Sequence, residues 1–376
     1  MLRLVLSALV FGVVLFGGGG PSDASTGVSP IVYGWGGLDL ASSGGIQASE
    51  LPSGNRVGQV AVGGLTQGGA FALAPDGRRA YLLDREQVAG GVAEWHLSEL
   101  NLPSLRVLRR AVVRDAISLL GTARVVAVAA DGRQVYVETM RITGPNRWDP
   151  QLRVGQPDSD YSIAVYDVTR GTFTREFRLD PPWCGGADLY ALPDGNLATY
   201  CFTSSDVRLI DPVRGTQLAR VGVSGVGSVV SPDGQWLWTV SASGTLSDVD
   251  LTRMVISHRT ELGSGDGGGW VPFQALHLTA DGKRLFVRAA PGDTELRAEG
   301  NGTVVWIVDT DTLQRVATVP LPAPAFHLAP TPDGRMLVAT TNNVADRSLY
   351  GTRLIEVPTG RQLAYWPGTL TSPQVR

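Results

Sequence analysis

Two of the four histidines in this chain are the residues best placed to do chemistry. His277 and His327 each lie a few residues before an Asp-Gly pair, in two segments of similar pattern. If the fold places these segments at its centre, the two imidazoles could bind a metal ion or act as a general base. No His-x-His or His-Glu-x-x-His sequence supports a metal site, so ordinary strand histidines are the simpler interpretation.

Aromatic and charged residues cluster in segments that lack a strand pattern, and these are the candidates for a binding surface. Trp and Arg are enriched at the anchor points of such surfaces. The alternative is that the tryptophans fill gaps between structural repeats. The candidate residues are Arg147, Trp148, Asp149, Trp183, Asp266 and Trp270.

The two cysteines of the chain, Cys184 and Cys201, flank one predicted hairpin. In an oxidising compartment we expect them to form a disulfide, with two buried thiols as the alternative. Their spacing fits no Cys-x-x-Cys redox or zinc motif. The stretch Gly263-Ser-Gly-Asp-Gly-Gly268 formally matches a dinucleotide fingerprint, but no strand-helix pattern surrounds it. The sequence therefore predicts no bound cofactor.

The elements that must position these residues are repeats. Six segments share an apolar stretch, a small residue or proline, an Asp-Gly pair and a second apolar stretch. Asp can accept hydrogen bonds from the turn backbone and Gly can adopt a positive φ, so each segment predicts a tight β-hairpin. The pairs are Asp76-Gly77, Asp131-Gly132, Asp194-Gly195, Asp233-Gly234, Asp281-Gly282 and Asp333-Gly334.

The spacing of these hairpins predicts the architecture. The turn glycines average about 51 residues apart, and two further strands follow each hairpin, as in Thr303–Asp309 and Thr312–Val319. Four antiparallel strands in a unit of roughly 50 residues are typical of a β-propeller blade. Residues 31–65 add three strands, and the tail Thr369–Val375 can supply the fourth. The prediction is an all-β, seven-bladed β-propeller closed by strands from both termini. A six-bladed ring with an N-terminal arm is the alternative.

In such a ring the Asp-Gly turns all lie on one face, which we call the turn face. The loops between second and third strands, and the links between blades, lie on the opposite face, which we call the long-loop face. The insertions 141–161, 291–302 and 342–350 fall there, as do the links 181–186 and 263–272. Long loops on a compact fold are usually functional, so we expect binding on this face.

The repeats resemble the YVTN-type propeller repeats of bacterial secreted proteins, with Val308-Asp-Thr-Asp-Thr-Leu-Gln-Arg-Val-Ala-Thr-Val319 as the best match. The order of features is also similar to the heavy subunit of amine dehydrogenases. That similarity lies in Asp180-Pro-Pro-Trp-Cys184 followed by Cys201, in Gly265-Asp-Gly-Gly-Gly-Trp270 and in Ser372-Pro-Gln-Val375. It implies a propeller scaffold that docks a separate small subunit bearing a tryptophan-derived quinone. The chemistry would then lie outside this chain.

The N-terminus predicts export. Arg3 precedes the apolar run Leu4–Phe16, and the small residues Ser22 and Ala24 fit a signal-peptidase site. We expect residues 1–24 to be a cleaved signal peptide and 25–376 to be one domain. An uncleaved membrane anchor and a buried N-terminal helix are the alternatives.

The net charge of the chain limits the class of partner that we expect. The 376 residues carry a net charge of −3, whereas a nucleic-acid binder should be basic, so we expect no nucleic-acid partner. The sequence therefore predicts a periplasmic or secreted binding or scaffold protein. Its long-loop face would take a protein partner or small ligand, and after signal cleavage it would not be held at a membrane. One alternative is the heavy-subunit role. A second is a propeller hydrolase or lactonase with a metal ion in the central channel.

Overall fold

The computed structural model of the protein describes most of the chain. The predicted signal segment lies outside the described residues, as do several connections between strands. The described residues are 30–36, 45–62, 70–87, 93–114, 124–149, 154–179, 188–202, 204–262, 276–289, 304–321, 325–341, 351–368 and 370–376.

These residues form 28 strands in seven antiparallel sheets of four strands each. Six sheets use four consecutive strands, and the remaining sheet combines the first three strands with the last. We number the sheets as blades 1 to 7 in chain order. Blade 1 contains β1 (Ile31–Gly36), β2 (Ile46–Glu50), β3 (Arg56–Val60) and β28 (Leu370–Val375).

The other six blades follow one plan, with the first strand innermost. Blade 2 contains β4 (Phe71–Leu73), β5 (Arg79–Gln87), β6 (Ala93–Asn101) and β7 (Arg106–Val113). Blade 3 contains β8 (Val126–Val128), β9 (Gln134–Asp149), β10 (Val154–Asp167) and β11 (Thr172–Arg178). Blade 4 contains β12 (Asp188–Ala191), β13 (Leu197–Cys201), β14 (Asp206–Asp211) and β15 (Thr216–Gly222). Blade 5 contains β16 (Ser228–Val230), β17 (Trp236–Val240), β18 (Thr245–Asp250) and β19 (Val255–Glu261). Blade 6 contains β20 (Leu276–Leu278), β21 (Arg284–Ala289), β22 (Val304–Asp309) and β23 (Arg315–Pro320). Blade 7 contains β24 (Ala325–Pro330), β25 (Met336–Thr341), β26 (Gly351–Glu356) and β27 (Gln362–Trp366).

The first strands of successive blades contact one another around a common centre, from β4 through β24 to β28. Seven four-stranded sheets arranged in this way form a β-propeller, so the predicted fold is confirmed. The part of the chain that the structure describes contains no helix long and apolar enough to cross a membrane.

The ring is closed by the two ends of the chain. β28 pairs with β1 in the register Val32 with Val375 and Gly36 with Leu370. Ile31 and Arg376 extend the pairing, because each backbone amide donates to the other's carbonyl at 2.9 and 3.0 Å. The tail therefore supplies the innermost strand of blade 1, as predicted, and the six-bladed alternative is wrong.

The six Asp-Gly turns share one geometry. Each glycine has a positive φ, between 58° and 89°. Each aspartate accepts a hydrogen bond at Oδ1 from the backbone amide two residues later, at 2.8 to 3.0 Å. The glycine amide donates back to the residue three positions earlier, as in Gly132 to Ala129 at 2.8 Å. These bonds satisfy the turn backbone, so the same short motif can start every blade.

The hydrophobic core is divided into layers between blades. Among the described residues seven buried clusters occur, and each joins two adjacent blades. The cluster that joins blades 7 and 1 includes Val32, Leu51, Val338 and Leu354. Every blade therefore buries both of its faces against its neighbours, and closure of the ring removes the last exposed apolar face.

Candidate functional site

The binding residues predicted from the sequence were assigned to the long-loop face, and most connections on this face lie outside the described residues. Trp183, Asp266 and Trp270 fall in the segments 180–187 and 263–275, which the structure does not describe. Their role as binding residues stays a prediction. The described part of this face offers two features with defined geometry, a projecting hairpin in blade 3 and a polar cluster at the end of the central channel.

The hairpin in blade 3 is formed by β9 and β10, the two longest strands of the described chain. Their pairing continues from Gln134 with Asp167 to Asp149 with Val154. The inner strand β8 pairs only up to Val137. The ribbon therefore extends beyond its neighbours in the sheet. Ten residues of β9 lie beyond Thr139, which corresponds to about 30 Å of extended chain. We call residues 140–149 and 154–161 the arm.

The arm replaces the irregular insertion that the sequence analysis expected over residues 141–161. Pro145 and Pro157 lie within this segment, and proline cannot donate to a strand ladder. In the structure Pro157 pairs opposite Asn146, and the register shifts between Pro157 and Ser159. Proline is tolerated on edge strands and at bulges, and both conditions hold in this two-stranded ribbon.

Three predicted binding residues lie at the end of the arm. Asp149 pairs with Val154, Trp148 with Gly155 and Arg147 with Gln156. The chain thus carries Arg147, Trp148 and Asp149 to the point of the ribbon farthest from the ring. The side chains of residues 142–159 are outside the described part, so only this backbone placement is established.

The second feature is centred on Arg124, which immediately precedes the inner strand region of blade 3. Its Nη1 donates to the Tyr190 hydroxyl at 2.9 Å and to the Ser228 carbonyl at 3.2 Å. Its Nη2 donates to the Leu276 carbonyl at 3.1 Å. These partners belong to the inner strands of blades 4, 5 and 6. One guanidinium from blade 3 therefore crosses the channel and joins three other blades.

The partners of Arg124 are also bonded to one another. The Tyr190 hydroxyl donates to the Ser228 carbonyl at 2.6 Å. Asp188 accepts the Arg124 amide at Oδ1, at 3.2 Å, and the Ser228 amide and hydroxyl at Oδ2, both at 2.9 Å. All of these residues lie at or next to the starts of inner strands, so the cluster is at the long-loop end of the channel.

His277 and His327 occupy inner strands β20 and β24, as the repeat spacing predicted. Both keep a part of their surface accessible, while Leu276 and Leu328 beside them are buried. Burial and then the charges of Arg124 and Arg288 lower the pKa of His277 well below 6.5. Burial and Arg288 lower the pKa of His327 to about 4. Both imidazoles are therefore neutral near pH 7.

Arg288 adds a second guanidinium near these histidines. It lies in β21, and its Nη1 donates to the carbonyl of Ala325, the first residue of β24. Burial lowers the pKa of Arg288 to about 10, so it stays charged at neutral pH. A cationic environment disfavours a divalent metal ion, and no group of three metal-ligating side chains occurs among the described residues. A base with a pKa near 4 is also poorly matched to proton abstraction at neutral pH.

Cys201 is fully buried at the end of β13, where it pairs with Asp206 across the sheet. Cys184 lies outside the described residues. The disulfide between them stays a prediction.

The sequence analysis missed Arg124, Asp188, Tyr190 and Ser228. Arg124 was one of many arginines and had no motif around it. The signal that could have identified these residues was their position in the repeat. Asp188, Ser228 and Arg124 are polar residues at the beginnings of inner strands, where Leu276 and Ala325 in blades 6 and 7 are apolar.

A groove of about 610 Å³ also lies between the outer strands β7 and β11 of blades 2 and 3. Two of its three arginines are engaged, because Arg110 pairs with Asp84 at 3.1 Å and Arg175 donates to the Val213 carbonyl at 2.6 Å. Those contacts join strands and blades, so we assign the groove a structural role.

The fold and these two features define the class of protein as a seven-bladed β-propeller with a projecting arm. No protein-family model matches the chain, and no curated protein sequence matches it either. Among solved structures, it is similar to Kuenenia stuttgartiensis hydrazine synthase, with a TM-score of 0.54 and 16% sequence identity over 78% of each chain. At that identity the similarity concerns the fold alone.

Proposed function

We propose that this chain is an exported binding or scaffold protein that engages a protein partner through the arm on its long-loop face. The observation that carries the proposal is the arm itself. A ring of seven four-stranded blades is complete without the projecting part of the arm, and the core cluster between blades 3 and 4 includes only the base of the arm, at Met140 and Tyr161. A ribbon of about 30 Å therefore contributes to something other than closure of the ring.

The chemistry of the arm fits a partner that adds a strand. Beyond Thr139 neither β8 nor β11 accompanies the ribbon, because β11 pairs with β10 only as far as Ser162. Among the described residues, no further strand pairs with the outer edges of β9 and β10 beyond Met140 and Tyr161. Strand edges of this kind accept an extended segment of another chain. Trp148 with Arg147 at the tip would add side-chain contacts of the kind that dominate binding energy.

The test is removal of the arm with the ring left intact. Residues 141–160 are replaced by Asn-Gly, a pair that forms a two-residue hairpin between Met140 and Tyr161. Wild type and variant are isolated from the exporting host after mild cross-linking, and the attached proteins are quantified by mass spectrometry. We expect a specific partner to be lost from the variant while the fold, followed by far-UV circular dichroism, is kept.

Two point variants test whether the association depends on a single side chain of the arm. Trp148→Ala should weaken the same association by at least about tenfold, since truncation of an aromatic anchor costs roughly 2 kcal/mol or more. Val213→Ala removes an apolar side chain that is 75% exposed on the turn face, and should leave binding unchanged. Equal recovery of the partner with all four proteins would contradict the role of the arm.

The heavy-subunit resemblance is a narrower form of this proposal, in which the partner is a small quinone-bearing subunit. A visible absorbance that co-purifies with wild type but not with the arm deletion would support it. Export is tested on the same sample by intact mass. We expect a chain that begins at Ser25, and a mass two hydrogens lighter than the reduced chain if Cys184 and Cys201 are bonded.

A further inference from the structure

The channel cluster has more positive than negative character, and this imbalance goes beyond the arm-based binding proposed above. Arg124 and Arg288 are the charged groups that act on His277 at neutral pH, and both disfavour its protonated form. The charged group next to His327 is Arg288. The long-loop end of the channel is thus an enclosed region of positive potential, and low-dielectric walls strengthen such potentials.

The carboxylate of Asp188 in this cluster is already engaged in hydrogen bonds. Asp188 is 7% exposed and accepts three hydrogen bonds, from the Arg124 amide and from the amide and hydroxyl of Ser228. It holds the inner strands of blades 3, 4 and 5 together at one point. A carboxylate bonded in this way is poorly placed to serve as the ligand of a metal ion.

Hydrogen-bonding capacity remains in the cluster. A guanidinium has five N–H donors, and Arg124 uses three of them on described residues. The Nδ1 atom of His327 is buried and has no hydrogen-bond partner among the described residues. Buried polar groups are normally satisfied. The remaining N–H groups of Arg124, and the Nδ1 of His327 in the tautomer that carries a proton there, therefore indicate a place for an acceptor.

We propose that the long-loop end of the channel, between Arg124, His277 and His327, binds a small molecule through its carboxylate or phosphate group. The anion would accept from Arg124 and from the neutral imidazoles. The Arg124 side chain already bonds across the channel to blades 4, 5 and 6, so the site suits a small oxyanion rather than a polypeptide. The site is separate from the arm, so either function can fail without the other.

The four histidines of the chain provide the readout. Ring signals of the full-length protein are followed by NMR during titration with inorganic phosphate, and in parallel with acetate, at constant ionic strength. We expect saturable shifts of His277 and His327, with the pKa of each rising because an adjacent anion favours the protonated ring. His258 is the internal reference, since its ring is exposed next to Asp248 on an outer strand. The anion that saturates at lower concentration identifies the preferred group.

Point variants test whether the anion binds at Arg124. Arg124→Gln should weaken the apparent affinity by about tenfold or more, because a charged donor is lost. Arg214→Gln, at an exposed turn-face arginine, should leave it unchanged. Should Arg124→Gln fail to fold, the wild-type titration still decides. Shifts that do not saturate with either anion, or that are equal at His258 and His277, would overturn the proposal.

Discussion

The two faces of the ring are built from the same strands, but they differ in how much of their chemistry repeats. On the turn face, each Asp-Gly turn uses the same carboxylate-to-amide bond and the same positive φ. On the long-loop face, the described blades differ from one another. Blade 3 carries the arm and Arg124, and blade 4 carries Asp188 and a buried ion pair. Repetition therefore marks what builds the ring, while departures from it mark what distinguishes this propeller from others.

Blade 4 contains one ion pair at its long-loop end and a second ion pair on the turn face. At its long-loop end, Arg208 donates through Nε to Asp206 at 2.9 Å, and both side chains are inaccessible to solvent. At its turn face, Arg214 pairs with Asp211 at 3.1 Å, but the Arg214 side chain is 77% exposed. The two pairs join the same residue types at similar distances. They differ in their surroundings, which should decide how much each contributes to stability.

The largest effect we expect is the difference in unfolding free energy between variants of these two ion pairs. Arg208→Ala leaves the buried Asp206 with only the part-exposed Arg220 as a cationic partner. Breaking a buried ion pair costs up to about 3 to 5 kcal/mol, and Arg220 should offset part of that cost. Arg214→Ala removes an exposed ion pair, which is worth less than about 1 kcal/mol. Urea unfolding of both variants against wild type measures the difference. Equal unfolding free energies for the two variants would show that the two ends of blade 4 are not distinguished by burial.

The second largest effect is pH dependence from the channel. Because burial lowers the folded-state pKa of His327 to about 4, protonation favours the unfolded chain, where the pKa is about 6.5. Stability should therefore be complete above about pH 6.5 and fall by up to roughly 2 to 3 kcal/mol as the pH drops toward 4. His327→Gln should remove this part of the pH dependence of the unfolding free energy. If wild type and variant lose stability in parallel, the histidine is not responsible.

The ring was predictable from sequence because its signals are local. Each Asp-Gly turn involves residues within five positions of one another, and their chemistry is legible without knowledge of the fold. Counting these turns and their spacing predicted six full blades, and the terminal strands predicted the seventh. The strand from the tail also followed, since a ring of six full units and three extra strands needs one more strand.

The candidate site was less predictable because its contacts are distant in the chain. Arg124 bonds to residues 66, 104 and 152 positions away, and no local pattern encodes such partners. The arm was misjudged for a different reason. Gly144, Pro145 and Pro157 are normal signals for a loop, and a two-stranded ribbon tolerates them. The locations of His277 and His327 were predicted correctly, since these depend only on the repeat.

The smallest effect we expect comes from adding a single Cβ atom to a glycine of the turn face. Gly195 in the Asp-Gly turn of blade 4 has a φ of +89°, and a Cβ added there would meet no atom within 4 Å. Gly195→Ala should still destabilise by about 1 to 2 kcal/mol, because an L-residue resists this backbone conformation. Gly222, at the end of β15, is equally open but does not have a positive φ. Gly222→Ala should be neutral or stabilise by up to about 1 kcal/mol, through a less flexible unfolded chain. Thermal and urea unfolding of the two variants isolate conformation from packing, since neither methyl group has a neighbour. Equal losses at both positions would mean that the repeated turns do not depend on glycine for their geometry.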